Sequence, residues 1–305
     1  MRNHLIAELY ELAQKDSKIY LMTGDLGYGV LNRFQERFPD RFVNAGISEQ
    51  NMASVAAGMA LEGNTVYLYS IGNFPGMRCL EQIRNDICYP NANVKIIVVG
   101  GGFAYGQLGM SHHATEDLAV MRALPNMRVY SPADPAEAVE VIRRANSVHG
   151  PCYIRLGKGG EPELHPEMRD YSVEKLMKVI PGEGVAILAT GSILGQAMEA
   201  ARLLRERRGV RAAVYNVMCL KPLDEKAIIA IGREFTQIVT VEEHNIIGGL
   251  GGAVAEVLAG EPAHGRLLRI GLRDEYPSVV GSQSYLRGYY GISAEHIAER
   301  IEERL

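Results

Sequence analysis

Glu49 is a carboxylate whose place in the sequence could serve acid–base chemistry. It follows a Gly-Ile-Ser turn at 46–48 and stands at the predicted N-terminus of an alanine-rich helix. The helix dipole favours an acid at that position, so Glu49 could simply cap the helix. After Asn51 the helix is almost entirely apolar or small, and a carboxylate at its mouth could instead be desolvated and exchange a proton. The residues by themselves favour the cap and leave the acid–base role open.

A histidine pair lies in the segment 111–117, Ser-His-His-Ala-Thr-Glu-Asp, in a loop after the triple glycine at 100–102. Adjacent side chains cannot face the same way on one helix, so His112 and His113 alone do not indicate a metal site. A loop histidine beside a glycine-rich segment is as often a solvated polar residue as a functional one. The residues alone therefore leave the two histidines open as candidates and predict no metal ligands in this chain.

Lys158 ends the segment Arg-Leu-Gly-Lys at 155–158, at the carboxyl end of a predicted strand. Ligands of open α/β sheets bind at that edge, and a lysine there could contact a phosphate. A plain surface lysine is an equal alternative. The glycine runs at 100–102 and 248–252 complete no G-x-G-x-x-G motif, and no P-loop is present. These glycines indicate tight packing turns rather than a nucleotide site.

The composition predicts a globular protein of about two domains. The chain has 305 residues, 47% hydrophobic and 22% charged, with a formal charge of -4. The absence of a basic excess argues against nucleic-acid and anionic-membrane partners. No apolar stretch approaches the ~20 residues of a spanning helix, and the acid at Glu8 comes too early for a signal peptide. The four cysteines are far apart, which argues against disulfides and thiolate zinc, and we expect a cytoplasmic protein.

The elements that must position these residues alternate between strand and helix. Strands are predicted at 18–22, 65–69, 94–99, 127–130, 152–156, 184–191, 211–214 and 237–241, and helices at 5–13, 77–88, 193–208 and after 49, 136 and 252. The segment 161–181 is polar and contains prolines, which indicates a linker. We therefore expect an α/β protein with two consecutive parallel-sheet domains, 1–160 and 182–305.

The candidate residues belong to a series of motifs whose order resembles the transketolase family. The first part carries Gly-Asp-Leu at 24–26, Gly-Ile-Ser-Glu-Gln at 46–50, Asn-Phe at 73–74, Gly-Met-Ser-His at 109–112, Pro-Asn-Met at 125–127, Ser-Pro-Ala-Asp at 131–134 and Arg-Leu-Gly-Lys at 155–158. The second part carries Ala-Thr-Gly-Ser at 189–192, Leu-Lys-Pro-Leu-Asp at 220–224 and Glu-Glu-His-Asn at 242–245. The resemblance implies a thiamine diphosphate pyrimidine-binding domain followed by a transketolase C-terminal domain.

The resemblance assigns the cofactor site to Glu49 and to an apolar side chain near it. Glu49 matches the family's glutamate, which hydrogen-bonds N1′ of the thiamine aminopyrimidine and so promotes loss of the thiazolium C2 proton. Phe74 or Met77 lies where the family packs an apolar side chain on the pyrimidine ring. Both catalytic and cofactor-binding roles are therefore expected of Glu49.

The resemblance also assigns residues that contact the substrate. His112 matches the histidine that hydrogen-bonds the sugar oxygens or relays protons to them, a catalytic role. Arg2 and Lys158 fall where phosphate-binding arginines lie, although a lysine contact is less directional. Asp25, in the Gly-Asp-Leu motif, is assigned to substrate binding.

A partner subunit is implied because the family's first domain has no counterpart here. That domain carries the Gly-Asp-Gly and Asn motif for diphosphate and metal. The chain thus resembles the C-terminal half of a split transketolase, which transfers a two-carbon ketol unit from a ketose to an aldose. We expect thiamine diphosphate to be shared with the partner, and Mg²⁺ or Ca²⁺ to be bound by the partner.

One departure concerns the substrate. The family usually has Asp-Gly-Pro-Thr-His before its histidine, whereas this chain has Leu-Gly-Met-Ser-His at 108–112. Leu108 therefore removes a partner for a sugar hydroxyl, and the standard pentose phosphates are in doubt. Sugars or sugar phosphates of a specialised pathway are the expected substrates.

Three other interpretations remain open. The first is the β subunit of a 2-oxoacid dehydrogenase first component, which shares both domains and the glutamate. The second is half of a 1-deoxyxylulose-phosphate synthase, disfavoured because that family is usually one chain. The third is a non-catalytic partner subunit, disfavoured because Glu49 and His112 are retained. The context of His112 and the ending Arg155-x-x-Lys158 favour transketolase over the dehydrogenase.

The expected assembly has two copies of this chain and two of the partner, an α2β2 complex with two equivalent sites. Small residues let helices approach closely, so Ala53, Ala57 and Ala60 in the helix after Glu49 are candidates for the central contact. A helix buried within the chain is the alternative interpretation of the same pattern.

Overall fold

Buried strands alternate with helices along most of the chain, and together they form two sheets covered by helices. The computed structural model describes residues 1–165 and 171–305. The strands are β1 (Ile19–Thr23), β2 (Phe42–Asn44), β3 (Thr65–Ile71), β4 (Val94–Val99), β5 (Arg128–Tyr130), β6 (Cys152–Leu156), β7 (Met177–Ile180), β8 (Val185–Ala189), β9 (Ala213–Asn216), β10 (Cys219–Lys221), β11 (Gln237–Asn245) and β12 (Arg266–Leu272). The predicted α/β class is confirmed.

The helices flank both sheets. They are α1 (Arg2–Lys15), α2 (Asn32–Arg37), α3 (Glu49–Leu61), α4 (Asn73–Gly76), α5 (Leu80–Gln82), α6 (Asp117–Ala123), α7 (Pro135–Ser147), α8 (Leu194–Arg208), α9 (Glu225–Glu234), α10 (Leu250–Leu258), α11 (Gln283–Tyr289) and α12 (Ala294–Glu302). The continuous helix predicted at 77–88 is instead broken into the short α5 and a π-helical segment, Ile83–Cys88. Such π segments occur often at functional sites.

Both sheets are parallel except at one edge. The first sheet has the order β10-β5-β6-β4-β3-β1-β2, and β10 pairs antiparallel with β5. The second has the order β12-β11-β8-β9-β7, and β7 pairs antiparallel with β9. The central strands are buried on both faces, as the hydrophobic runs predict. The predicted pair of parallel-sheet domains is confirmed, and each sheet carries in addition one antiparallel edge strand, as mixed sheets commonly do.

The segment predicted as a linker, 161–181, contributes to the second sheet. Its residues Met177–Ile180 form the half-buried strand β7, so the linker prediction is wrong there, and residues 166–170 lie outside the described residues. β10, from the second part of the chain, completes the first sheet. The first sheet therefore takes one edge strand from the second part of the chain, and the limits 1–160 and 182–305 stay a prediction.

Helix α3 buries its alanines within the chain. Ala53, Ala57 and Ala60 are buried in the same apolar cluster as Val66 and Leu68 of β3. These three alanines are therefore not available for a contact with another subunit, as the alternative of a helix packed within the chain predicts. The opposite face of α3, with Ser54, Val55 and Gly58, is exposed, and a contact of this helix with another subunit stays a prediction. The small side chains let α3 lie close to the sheet.

The described residues agree with two further expectations about composition. All four cysteines are buried free thiols. Within 1–165 and 171–305, no helix has both the length and the apolar character needed to cross a bilayer. The location of the protein in the cell stays a prediction.

Candidate active site

The candidate residues lie along the carboxyl edge of the first sheet. Strands β6, β4, β3 and β1 are parallel neighbours, so their carboxyl ends share one edge. Asp25 follows β1, Phe74 follows β3, His112 lies in the loop after β4, and Lys158 follows β6. This is the edge at which open α/β sheets bind ligands.

Glu49 begins α3 but pairs with a cation. The helix has Ser48 as its N-cap residue, without a side-chain capping hydrogen bond. The Glu49 carboxylate is only 3% exposed, and its Oε2 accepts a hydrogen bond of 2.9 Å from Nη1 of Arg78. The contact found for this side chain is therefore an ion pair at the mouth of the helix, and not the cap that the residues alone favour.

An aromatic ring connects this ion pair to the histidine. The guanidinium carbon of Arg78 lies 4.8 Å from the centroid of the Phe74 ring. The Phe74 ring in turn lies 5.4 Å from the His112 ring, edge to face. Met77 is 41% exposed and precedes Arg78 in the turn after α4. The structure thus brings Glu49, Phe74 and His112 together through Arg78.

Arg78 has no role in the sequence-based prediction. Its partner Glu49 lies 29 residues away along the chain, and no local motif joins the two. The only local signal is an aromatic residue four positions before a cation, since Phe74 and Arg78 would be neighbours on a helix. That spacing is too common to identify a site without the structure.

The two adjacent histidines face different surroundings, as expected. His112 ends a short 3₁₀ helix, Met110–His112, and its Nδ1 lies 3.0 Å from Oγ of Ser111. His113 is buried against Phe103, with its Nε2 3.3 Å from the carbonyl oxygen of Gly106. Burial lowers the pKa of His113, which favours a neutral ring. Of the two histidines, His112 is the one that contacts Phe74.

Asn73 holds the histidine loop in place. Its Nδ2 donates to the carbonyl oxygens of Met110 at 3.4 Å and Ser111 at 3.3 Å, and also to that of His113. The Asn-Phe motif at 73–74 therefore combines a residue that positions the loop with the ring that His112 contacts. Asn73 carried no predicted role of its own.

Replacing Asn73 with Ala is expected to lower turnover about tenfold or more, because misplaced catalytic groups are costly. Turnover of the reconstituted complex is the measurement, together with its mass. Asn64→Ala is the matched control, since Asn64 Nδ2 also bonds a carbonyl oxygen, that of Met59, at the opposite end of β3. Unchanged turnover in Asn73→Ala would show that this loop needs no such tether.

A second tether reaches the loop from β6. The buried Arg155 donates from Nη2 to the carbonyl oxygens of Ala114 at 2.6 Å and Glu243 at 3.0 Å. Its Nε donates to Asp117 at 3.0 Å. Arg155 thereby joins the loop of the first sheet to β11 of the second and has a structural role.

The Glu-Glu-His segment of β11 is also structural. Oxygens of Glu242 accept from the N–H groups of Leu250 and Gly251 and so cap α10, while burial raises the Glu242 pKa to about 7. Burial lowers the pKa of His244 to about 4, and its Nε2 accepts from the N–H of Ala119 at 3.3 Å. These side chains fix α10 and α6 around the end of the strand.

Asp25 lies in the turn after β1, close to Glu49. Its backbone is left-handed, with φ of 55°, and its Oδ1 accepts from the Tyr28 hydroxyl at 2.7 Å and from Asn44 at 3.1 Å. These two hydrogen bonds lower the pKa of Asp25. A Cβ on the preceding Gly24 would lie 3.6 Å from Cγ of Glu49, so the turn closely approaches the buried carboxylate.

Arg2 and Lys158 form a second group, around Tyr105. Burial raises the pKa of Tyr69 and of Tyr105, and the charge of Arg2 beside their hydroxyl groups partly offsets the rise. Lys158 Nζ lies 5.4 Å from the centroid of the Tyr105 ring. A cleft of about 300 Å³ adjoins Tyr105, Lys158 and Leu108. Tyr105 thus has a cation on the cleft side, Lys158, and a second cation, Arg2, beside its hydroxyl group.

A buried acidic group lies around the start of α7. Ligand atoms of Asp134, Glu137 and His165 all fall within 4.8 Å of one another. The carboxylates already accept backbone hydrogen bonds, since Asp134 accepts from Glu137 N and Glu137 accepts from Ala133 N. The group thus acts as a helix cap, and the expectation that this chain holds no metal stays a prediction.

Comparison with known proteins identifies the two parts of the chain. The family model of the transketolase pyrimidine-binding domain matches residues 1–161, and that of the transketolase C-terminal domain matches residues 174–297. A Methanocaldococcus jannaschii protein described as a transketolase C-terminal section is 39% identical, over 100% of this chain and 96% of its own length. One subunit of the apulose-4-phosphate transketolase of Phocaeicola vulgatus is 34% identical, over 99% of both chains.

A solved structure has the same architecture. It is that of a split-gene transketolase, described as an inactive beta4 tetramer, and it is 38% identical to this chain with a TM-score of 0.89. The similarity covers 99% of this chain and 97% of the other. The matched regions include both sheets and every candidate residue. This chain therefore belongs to the transketolase family and comprises its pyrimidine-binding and C-terminal domains.

Proposed function

We propose that this chain is a subunit of a thiamine diphosphate-dependent transketolase that transfers a two-carbon ketol unit from a ketose to an aldose. The observation that carries the proposal is the buried Glu49 carboxylate, which lies at the ligand-binding edge of the sheet beside Phe74 and His112. Membership of the transketolase family supports it. In this proposal, a partner subunit binds the diphosphate and its metal, Mg²⁺ or Ca²⁺.

The residues at this edge fit a thiamine aminopyrimidine. Such a ring needs a carboxyl group for N1′ and an apolar face against which to pack. Glu49 supplies a carboxylate shielded from water, and Phe74 supplies an aromatic face. A Cβ at Gly24 would meet the carbonyl oxygen of Gly46 at 3.3 Å as well as Glu49, so glycine keeps the turn narrow next to the carboxylate.

Each residue has a distinct task in the proposed reaction. When bound, thiamine diphosphate supplies the carbon centre that takes up the electron pair of the broken C–C bond. Glu49 holds a proton at N1′, where burial strengthens the interaction. His112 hydrogen-bonds a sugar oxygen and can move a proton there. Asp25 remains ionised and can accept from a sugar hydroxyl.

We propose that the substrates are specialised sugar phosphates. Arg2 and Lys158 beside Tyr105 provide two cations for a phosphate. Leu108 is 55% exposed next to the same cleft and cannot bond the hydroxyl that the family's aspartate would contact. The P. vulgatus relative is named for a sugar phosphate, apulose 4-phosphate.

The decisive experiment measures both candidate reactions in the same complex. This chain is combined with the diphosphate-domain subunit, and ketose cleavage with transfer to an aldose is compared with 2-oxoacid decarboxylation. We expect transfer of the two-carbon unit to the aldose, with phosphorylated ketoses preferred over unphosphorylated ones. Decarboxylation without transfer would favour the dehydrogenase interpretation. The absence of both reactions would favour a non-catalytic subunit.

The active assembly is expected to contain two copies of each subunit, because closed symmetry then forms two equivalent sites. The better candidates for the partner contact are exposed apolar side chains near Glu49 and Phe74, namely Ile47 and Met77. The alanines of α3 are buried and cannot make that contact. Light scattering of the mixed subunits should give the mass of two plus two. A fully active one-to-one complex would contradict the prediction.

A further inference from the structure

Arg78 lies where its side chain contacts both halves of the proposed pyrimidine site. Its Nη1 donates to Oε2 of Glu49 at 2.9 Å, and its guanidinium carbon lies 4.8 Å from the Phe74 ring centroid. The second distance is within the ~6 Å range of a cation–π contact. A single guanidinium therefore covers the Phe74 ring and binds the buried carboxylate.

These two contacts compete with a pyrimidine that uses the same carboxylate oxygen and the same face of the Phe74 ring. A ring that packs on this face of Phe74 and hydrogen-bonds Oε2 of Glu49 must occupy the volume of the guanidinium. A planar cation and an aromatic ring compete here for one acceptor and one apolar surface. The two arrangements are mutually exclusive.

The surroundings of Arg78 allow the side chain to move. It lies in the turn between α4 and α5, outside both helices. Its side chain is 47% exposed, whereas that of Glu49 is 3% exposed. The half-exposed arginine itself loses little when it moves into water, whereas the buried carboxylate is costly without a partner. Arg78 therefore leaves Glu49 only when another group replaces it there.

We propose that Arg78 competes with the aminopyrimidine of thiamine diphosphate for Glu49 and Phe74, so that cofactor binding requires Arg78 to swing out toward solvent. The inference rests on the proposed function of Glu49. Arg78 is then a positioning residue that keeps the Glu49 carboxylate paired, and it lowers both the affinity and the association rate of the cofactor.

The test is cofactor binding by the complex of this chain with its diphosphate-domain subunit. Arg78→Met removes the cation and keeps an apolar side chain of similar length. We expect it to bind thiamine diphosphate about three- to tenfold more tightly, the range of a modest ion pair, and to associate faster in stopped-flow measurements. Arg84→Met is the matched control: Arg84 is exposed on the following π-helical segment, where it bonds Asn85, and the control should leave both values unchanged.

A second measurement uses this chain alone and no cofactor. Unfolding of Glu49→Ala, Arg78→Met and the double variant forms a double-mutant cycle, because alanine cannot accept the hydrogen bond that Arg78 donates. A favourable coupling energy between the two substitutions supports the ion pair. Additive changes in the free energy of unfolding would refute it. Arg78→Gln serves as the second variant if Arg78→Met folds poorly, with the same expected increase in affinity.

The outcomes separate this inference from the proposed function. Tighter and faster cofactor binding by the Arg78 variants supports the competition. If the wild-type complex binds the cofactor and the Arg78 variants bind it equally or more weakly, the competition is refuted. The proposed role of Glu49 is unaffected by that result. Failure of the wild-type complex to bind thiamine diphosphate at all would refute both.

Discussion

Glu49→Gln in the reconstituted complex is expected to reduce two-carbon transfer by more than ~100-fold, the range typical of general acid–base groups. Glutamine keeps the size of the side chain, and its oxygen can still accept the hydrogen bond that Arg78 donates. It cannot hold a proton at N1′ as a carboxyl group does. Steady-state turnover at saturating cofactor is the measurement, since it separates the chemical defect from weaker binding.

Glu62→Gln is the control for this substitution. Glu62 is the exposed C-cap residue of the same helix, so the change removes an equal charge away from the site and should leave turnover unchanged. The mass of the complex and its thermal unfolding should stay near wild type for both variants. Near-normal turnover in Glu49→Gln would show that Glu49 has no catalytic role and serves only as a structural partner of Arg78.

The second large effect is expected in cofactor affinity. This chain supplies the proposed pyrimidine side of the site, and its sequence contains no Gly-Asp-Gly and Asn motif for the diphosphate and its metal. The pure chain should therefore bind thiamine diphosphate more weakly than micromolar. The complex with the partner should bind it at least ~100-fold more tightly, which corresponds to about 2.7 kcal/mol.

Calorimetry of the chain, the partner and their mixture measures this difference. The titrations need the divalent metal throughout, because in the proposed complex the partner would hold the diphosphate together with a metal ion. Micromolar or better binding by the pure chain would refute the shared site.

The order and type of the elements follow from local patterns in the sequence. Hydrophobic runs such as 94–99 predict strands that are buried on both faces, and the structure has β4 there. The spacing of small residues after Glu49 predicts a helix, confirmed as α3. Parallel strands bring their carboxyl ends to one edge, so the topology alone indicates that Asp25 and Lys158 lie at the same edge.

The details of the candidate site depend on contacts between residues far apart in sequence. Periodicity identified the buried face of α3 but not what covers it, and Ala57 packs within the chain. The pair between Glu49 and Arg78 spans 29 residues, and the tether from Asn73 to His113 spans 40. Neither pair leaves a local signature, because each depends on how two loops meet after the sheet has formed.

The edge strands show the same difference between what local sequence predicts and what tertiary contacts decide. β7 is short and half-buried, so the polar segment that contains it has the composition of a linker, and only its backbone pairing with β9 makes it a strand. The sequence by itself determined the α/β class, the buried strands and the residue types at their carboxyl ends, because these depend on hydrophobic period and turn chemistry. The tertiary structure alone decided which cation meets Glu49, since an ion pair is set by distances in space and not by spacing along the chain.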